Sequence, residues 1–334
     1  MQSCPEDSRS FFEKLQSTRE LDLRDKRGRK HDLAVVLTGV TAALLANRDG
    51  CLSSIHRHLA HHYEKLMPHL GLEIKKPISR AQLPRVLETV AIEVFDKLVF
   101  EHFGIRLSEA QRAWFAIDGI ELRGSIERGA RRGEAIVQAV THNNGETAAQ
   151  AYYSGEKESE VPSVRCLITE NGLANQKLSF DALHCKPETL ELIVGQGGRY
   201  LIGLKDNQKE LRKQVLRAVA AQAWLFECET FEKEHGRLEL RRYEFYDLLE
   251  MEKDVRWHGL QIRTGIKVRR TREELKGGKS SFEESYYVSN EVGNYEELAV
   301  AVRAHWQVEA NNHFRDVSMK EDEMRSKKRN YSVR

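Results

Sequence analysis

The chain has 334 residues, of which 40% are hydrophobic and 31% charged. That is enough for two domains with substantial cores, and it excludes a disordered polymer. The formal net charge of +2 excludes a global basic field, so any nucleic-acid surface has to come from local patches.

Five cysteines (Cys4, Cys51, Cys166, Cys185, Cys228) are scattered, odd in number and never spaced as CxxC. Neither a zinc ribbon nor a disulfide framework is indicated, and reduced thiols in a cytoplasm fit this usage. The start, MQSCPEDSRSFF, lacks a basic segment followed by an apolar one, so no signal peptide is expected. The longest apolar stretch, Leu33 to Ala46, has 14 residues. A bilayer needs about 20, so a buried helix is expected instead.

Residues 1 to 108 read as helical. FFEKLQ is a short amphipathic piece, and LRDKRGRKHD is a charged loop or helix start before the buried helix. SSIHRHLAHHYEKL repeats apolar residues at Ile55, Leu59, Tyr63 and Leu66, which is helical spacing. Ser79 precedes RAQLPRVLETV as an N-cap, and AIEVFDKLVFEHF repeats the period. Several short helices with apolar faces predict a small bundle.

Near residue 112 the pattern changes. AWFAID is a buried-strand run, and GEAIVQAVTHNNGETAAQAYYSG predicts two strands joined at Asn143-Asn144-Gly145. VPSVRCLITENG predicts a helix closed by Gly172, and KLSFDAL the next strand. PETLELIVGQGG is a helix with Pro187 in its first turn. RYLIGLK is a strand and NQKELRKQVLRAVAAQA a helix. The order is mixed α/β. From about 225 to 290 the chain is β-rich, and from Tyr295 to about Glu323 it is helical.

Three acids stand out. Asp118 ends the apolar run WFAID, Asp181 ends LSFD, and Glu309 lies in the helical stretch AVRAHWQVEANNHF. A lone buried carboxylate costs several kcal/mol unless paired or metal-bound. Three acids from separate elements suit the holding of two divalent cations about 3.5–4 Å apart against a phosphodiester. The alternatives are ordinary strand-end aspartates and a solvated helical glutamate.

The segments AIDGIELRGS, FDALHC, YLIGLKDNQ, EKEHGRLELR and VRAHWQVEANNHFRDVSMKEDEMR occur in this order. Together they resemble the DDE transposases of bacterial insertion sequences, specifically the H-repeat-associated group. DLRDKRGRKHDLAVVL and PISRAQLPRVL resemble the helical domain associated with it, so the resemblance covers nearly the whole chain.

It implies an α/β fold with an RNase H-like catalytic domain over 109–330, carrying a β-rich insertion at about 225–290. That insertion would account for the 128 positions from Asp181 to Glu309. Residues 1–108 would be a helical domain that binds DNA ends. Asp118, Asp181 and Glu309 would be the catalytic carboxylates and hold two Mg²⁺ ions, with Mn²⁺ able to substitute. Asp118 would bridge the ions from the central strand. Water would be the first nucleophile and a DNA 3′-hydroxyl the second. The partners would be double-stranded DNA, as element ends and target, and a second copy of the chain on that DNA. No membrane partner and a cytoplasmic, nucleoid-associated location are expected.

Lys205, Asn207, Gln208 and Arg123 are candidate DNA contacts, as are His235, Arg237 and Arg303. A solvated helix start, loop or hairpin turn is the alternative at most of them. His305, one helical turn before Glu309, is a candidate for orienting a phosphate or for capping the core. His58 and His62 have metal-like i, i+4 spacing, but no HExxH pattern supports it, so a solvated face is expected. GQGG at 195–198 follows a helix and reads as its C-terminal turn.

The chain departs from the family pattern at Ile120 (usually Lys), Lys186 (Gln), Ala310 (Asn) and Phe314 (Trp). It stops soon after KEDEMRSKKRN, where relatives continue into a further helix. A C-terminally shortened, cleavage-inactive or repurposed DNA-binding protein is therefore the alternative expectation.

Overall fold

The computed structural model describes residues 9–46, 51–104, 113–122, 126, 133–153, 157–234 and 236–318. They fall into two compact units. The first contains the N-terminal helices, and the second the strands and helices from 113–119 and 136–311.

The described part of the first unit includes the helices α1 (Phe11–Ser17), α2 (Leu33–Leu45), α3 (Leu52–His69), α4 (Gln82–Leu87) and α5 (Ile92–Phe103). Ser10 and Glu13 form a reciprocal capping box at α1. Asp32 caps α2 by accepting the Ala34 N–H at 2.8 Å. The α2 helix is buried on most sides because its sequence offers almost no polar face. The stripe that α3 buries is Ile55, Leu59, Tyr63 and Met67. Met67 takes the place expected for Leu66, keeping the four-residue step. Gly39 of α2 meets the Leu59 side chain so closely that a Cβ there would lie 2.8 Å from Leu59 Cδ1.

The second unit is built on one nine-stranded sheet in the order β3-β2-β1-β4-β5-β9-β8-β7-β6. The strands are β1 (Trp114–Glu121), β2 (Ala135–Thr141), β3 (Thr147–Tyr153), β4 (Lys177–Phe180) and β5 (Arg199–Leu204). They continue with β6 (Phe226–Glu234), β7 (Arg237–Asp247), β8 (Thr264–Glu274) and β9 (Ser280–Ser289). Five α-helices complete the unit: α6 (Lys157–Glu170), α7 (Pro187–Gly195), α8 (Lys209–Ala220), α9 (Tyr295–Ala304) and α10 (Trp306–Val317). The order is mixed α/β, as the sequence predicts, and the β-rich stretch holds a further strand, β6, that its pattern did not single out. Gly145 at φ +71° turns the chain between β2 and β3, and Gly172 at φ +63° closes α6.

The β-rich stretch does not form a separate layer. β9 pairs antiparallel with β5, so β9, β8, β7 and β6 extend the same sheet past its parallel centre. The centre is β1-β4-β5, all parallel, and its strands are near-continuous apolar runs because both faces are covered.

Strand alternation sorts the two faces. Phe115, Ile117, Leu178, Phe180, Tyr200 and Ile202 pack on one side with Leu167 and Ile168 of α6, Ile193 of α7 and Val215 of α8. On the other side, Trp114 and Leu201 pack with Leu298 and Ala301 of α9. Ala116 and Val140 pack there with Val308 of α10. Each such fully buried aliphatic or aromatic side chain contributes about 1.5–3 kcal/mol. No helix among the described residues is long and apolar enough to cross a membrane.

Candidate active site

The parallel register pairs Ala116 with Ser179 and Ile117 with Phe180. The next residue on each strand path is an acid, Asp118 and Asp181. Neighbouring strands run about 4.8 Å apart, so the two residues are neighbours across β1 and β4, and the Asp181 charge acts on Asp118. By alternation Asp118 follows Trp114 and Ala116, and Asp181 follows Lys177 and Ser179, onto the face covered by α9 and α10. Asp181 also caps the short 3-10 turn Ala182–His184, accepting the Leu183 N–H at 2.8 Å.

Asp118 is the more enclosed of the two. Burial pushes its carboxyl up to about 7, and the charges of Asp181 and Glu160 add to the shift. The Gly119 N–H and the His184 ring act in the opposite direction. A carboxyl held this far up by burial, with other acids nearby, is a common property of functional sites.

Glu160 of α6 is a fourth acid that the sequence did not single out. It accepts the Tyr153 hydroxyl at 3.1 Å, and its Oε1 lies 3.2 Å from His184 Nε2. The same His184 nitrogen is 4.0 Å from Asp181 Oδ1. His184 is fully buried, and neither ring nitrogen has a well-aligned hydrogen bond. Gly119 makes room for this group, since a Cβ there would lie 2.9 Å from Tyr153 Oη and 3.0 Å from Glu160 Cδ. Locally, EKESEVPS looks like any charged helix start. Only the fold brings Glu160 to Asp118.

Glu309 reaches the region from α10. His305, just before α10, and Val308 and Asn311 on it meet the sheet and the turn between β2 and β3. His305 Nδ1 is bonded to Ser179 Oγ at 2.8 Å, Val308 is fully buried, and Asn311 donates to the Gly145 carbonyl at 3.0 Å. Glu309 lies on the exposed flank beside these residues. Its carboxyl is raised by desolvation, lowered by Lys205 and raised again by Asp181. Lys205 follows β5 on the same face, so the third acid lies within the field of the second.

The donor chemistry is that of a hard divalent cation: carboxylate oxygens near one another, beside a buried imidazole whose Nε2 lies 3.2 Å from Glu160. The placement is looser than a formed metal site. Among the described residues, no three His, Cys, Asp or Glu side chains are grouped closely enough to hold an ion.

Other candidates fall elsewhere. Gln208 is buried and donates to the Cys185 carbonyl at 2.8 Å, while Asn207 donates to the Ala182 carbonyl. Their amides clamp the turn after Asp181, so the expectation of DNA contact at Gln208 gives way to an internal role. The Arg303 guanidinium makes two bonds of 3.1 Å to Glu232 of β6. Arg237 is exposed at the start of β7. Arg123 and His235 lie outside the described residues. The His58 and His62 rings lie 4.5 Å apart, tilted by 47°, and belong to no metal group among the described residues. The GQGG run ends α7 as expected, with Gly197 at φ +72°.

Residues 111–333 match the family described as "Transposase DDE domain". The chain therefore belongs to the DDE transposases of bacterial insertion sequences. It is 25% identical over 323 residues to "Putative transposase YncI" of Escherichia coli O157:H7, covering 92% of this chain and 80% of that one. It is 28% identical over 223 residues to "H repeat-associated putative transposase YhhI" of E. coli strain K12, covering 64% and 59%. "Putative protein YbfL" of the same strain matches to the same extent. The match thus spans less than two thirds of the length of YhhI and YbfL.

Proposed function

We propose that the chain is an insertion-sequence transposase that cuts DNA at the element's ends and joins the freed 3′ ends to target DNA. The observation that carries this reading is the placement of Asp118 on β1 and Asp181 just after β4, each one residue beyond the registered pair Ile117 and Phe180, with Glu309 carried by α10 on the same side. The strand order β3-β2-β1-β4-β5 with its parallel centre supports an RNase H-like core. In this reading β6 to β9 are the insertion between the second and third acids.

Asp118, Asp181 and Glu309 would hold the divalent cations, Mg²⁺ or Mn²⁺. Bound there, the ions would supply Lewis-acid activation of the attacking oxygen and stabilisation of the leaving one. The chain's own residues supply the rest. The Leu183 N–H fixes Asp181, and Asn207 and Gln208 hold the turn behind it. Lys205 places a positive charge where a phosphate would lie beside Glu309. Burial first, and the charges of Asp181 and Glu160 second, disfavour the charged Asp118; a cation bound there would offset both, so the site would favour cation binding.

The N-terminal unit would take the DNA ends. A cleft between its 18–36 and 59–82 segments is lined by Arg19, Lys30, Lys75 and Lys76, with Arg24 and Arg29 held by Asp22. Such a local patch is what the near-neutral net charge requires of a DNA surface. Two copies of the chain would bring two ends together.

The test is direct. Purified protein is incubated with labelled duplexes taken from the DNA flanking its reading frame, with Mg²⁺ or with EDTA. Cation-dependent nicking at one defined position is expected. Binding without any nicking, in Mg²⁺ and in Mn²⁺, would contradict the reading.

A further inference from the structure

A polar bridge, buried at Ser179 and His142 and half-buried at His305, links the central strands to the start of α10. Ser179 Oγ lies 2.8 Å from His142 Nε2 and 2.8 Å from His305 Nδ1, and 3.4 Å from the Phe115 carbonyl. Ser179 is 1% exposed and His142 7%. A hydroxyl has one proton and two lone pairs, so it can serve both rings at once. It donates to one and accepts from the other, or accepts from both while donating to Phe115.

The bridge is fixed at its far end. The His142 ring stacks on Trp114 with centroids 5.8 Å apart and planes 16° apart, and its backbone N–H donates to the Trp114 carbonyl at 3.0 Å. Trp114 Nε1 in turn donates to Glu297 of α9 at 2.7 Å, an acid that also receives Lys177 Nζ at 2.5 Å. Burial pushes the His142 ring down to about 3 and the His305 ring down to about 4, so both are neutral near pH 7. Each therefore offers one donor and one acceptor, which the bridge needs.

The geometry of the two ends gives the bridge a purpose. Ser179 lies two residues before Asp181 on β4, and His305 lies one helical turn before Glu309. We infer that the His142–Ser179–His305 bridge is a positioning device that sets Glu309 against Asp181 by locking the start of α10 to the central strands. Further along α10, Val308 packs with Ala116 and Val140, and the Asn311 amide donates to the Gly145 carbonyl. The inference rests on reading Glu309 as the third catalytic acid.

The test uses the full chain with Ser179→Ala, which removes the hydroxyl, and Ser179→Thr, which restores it. His142→Phe, which keeps an aromatic ring on Trp114, is the second variant should Ser179→Ala not fold. The first readout is backbone hydrogen exchange, independent of any activity. Amides of α10 are expected to exchange about tenfold faster or more in Ser179→Ala, with those of α7 and α8 unchanged, and to recover in Ser179→Thr. The second readout is cleavage: a fall of about 100-fold in the rate at saturating DNA, with end binding unchanged and rescue by threonine.

Equal α10 exchange in wild type and Ser179→Ala would overturn the bridge. Faster exchange with an unchanged cleavage rate would overturn its positioning role. A wild-type chain that cuts no DNA would instead remove the functional reading and with it the role assigned to Glu309, while the exchange measurement would still decide the tether.

Discussion

Asp118 and Asp181 are neighbours across β1 and β4, each one residue beyond the paired Ile117 and Phe180 of these adjacent parallel strands. Nothing in a fold requires two carboxylates there. Burial and the charges of Asp181 and Glu160 raise the Asp118 carboxyl from its ordinary 3.8 to about 7. Between those values the folded chain keeps a proton that the unfolded chain has lost. This group's contribution to stability therefore falls as pH rises through that window and levels off above about 7. Asp118→Asn removes the repulsion. In EDTA at pH 8 it should raise the thermal midpoint by about 2–4 °C. Mg²⁺ should then stabilise the wild type and leave the variant nearly unmoved. Differential scanning fluorimetry checks both, and an equal Mg²⁺ shift in the two proteins would contradict the assignment.

The two histidines of the bridge act with the opposite sign. His142 is pushed from 6.5 down to about 3 and His305 from 6.5 down to about 4, in both cases mainly by burial. As pH falls below about 6.5 the unfolded chain takes up protons that the folded chain refuses, so stability drops. The loss continues until the folded-state values near 4 and 3 are passed. Urea denaturation of the Asp118→Asn protein at pH 7 and pH 5, free of the opposing Asp118 effect, should show this decline. Adding His305→Gln should make the decline shallower.

Gln208 distinguishes a DNA contact from an internal clamp. Its amide satisfies the Cys185 carbonyl from a buried position. Gln208→Leu leaves that carbonyl unpaired, which costs about 1–3 kcal/mol. Stability should fall by that amount in denaturant unfolding, while affinity for nonspecific duplex DNA and its salt dependence stay unchanged. A lost phosphate contact would instead reduce the salt slope.

Much of this was legible in the sequence because the central strands are buried on both faces. WFAI, KLSF and RYLIGL announce themselves as apolar runs, and the acids that end two of them stand out against that background. Glu309 was legible only through the surrounding family motifs, since a glutamate on a half-exposed helix carries no local signal. Glu160 and His184 were not legible at all. Their proximity to Asp118 depends on where α6 and the turn after β4 come to rest. Ser179 was hidden for a related reason: a small hydroxyl inside an apolar strand reads as filler until the two histidines that meet on it are placed. The β-rich stretch was recognised as strands, but β9 pairing with β5 is a long-range register that local pattern does not encode.

The central claim is that Asp118, Asp181 and Glu309 together perform metal-dependent cleavage of DNA. The most direct measurement is strand cleavage of an element-end duplex by wild type and by Asp118→Asn, Asp181→Asn and Glu309→Gln in Mg²⁺, alongside end binding by mobility shift. The account predicts that each substitution abolishes cleavage and leaves end binding within about twofold, since uncharged isosteres keep the shape of the site. Mg²⁺-dependent cleavage retained by Asp118→Asn or Glu309→Gln would contradict it.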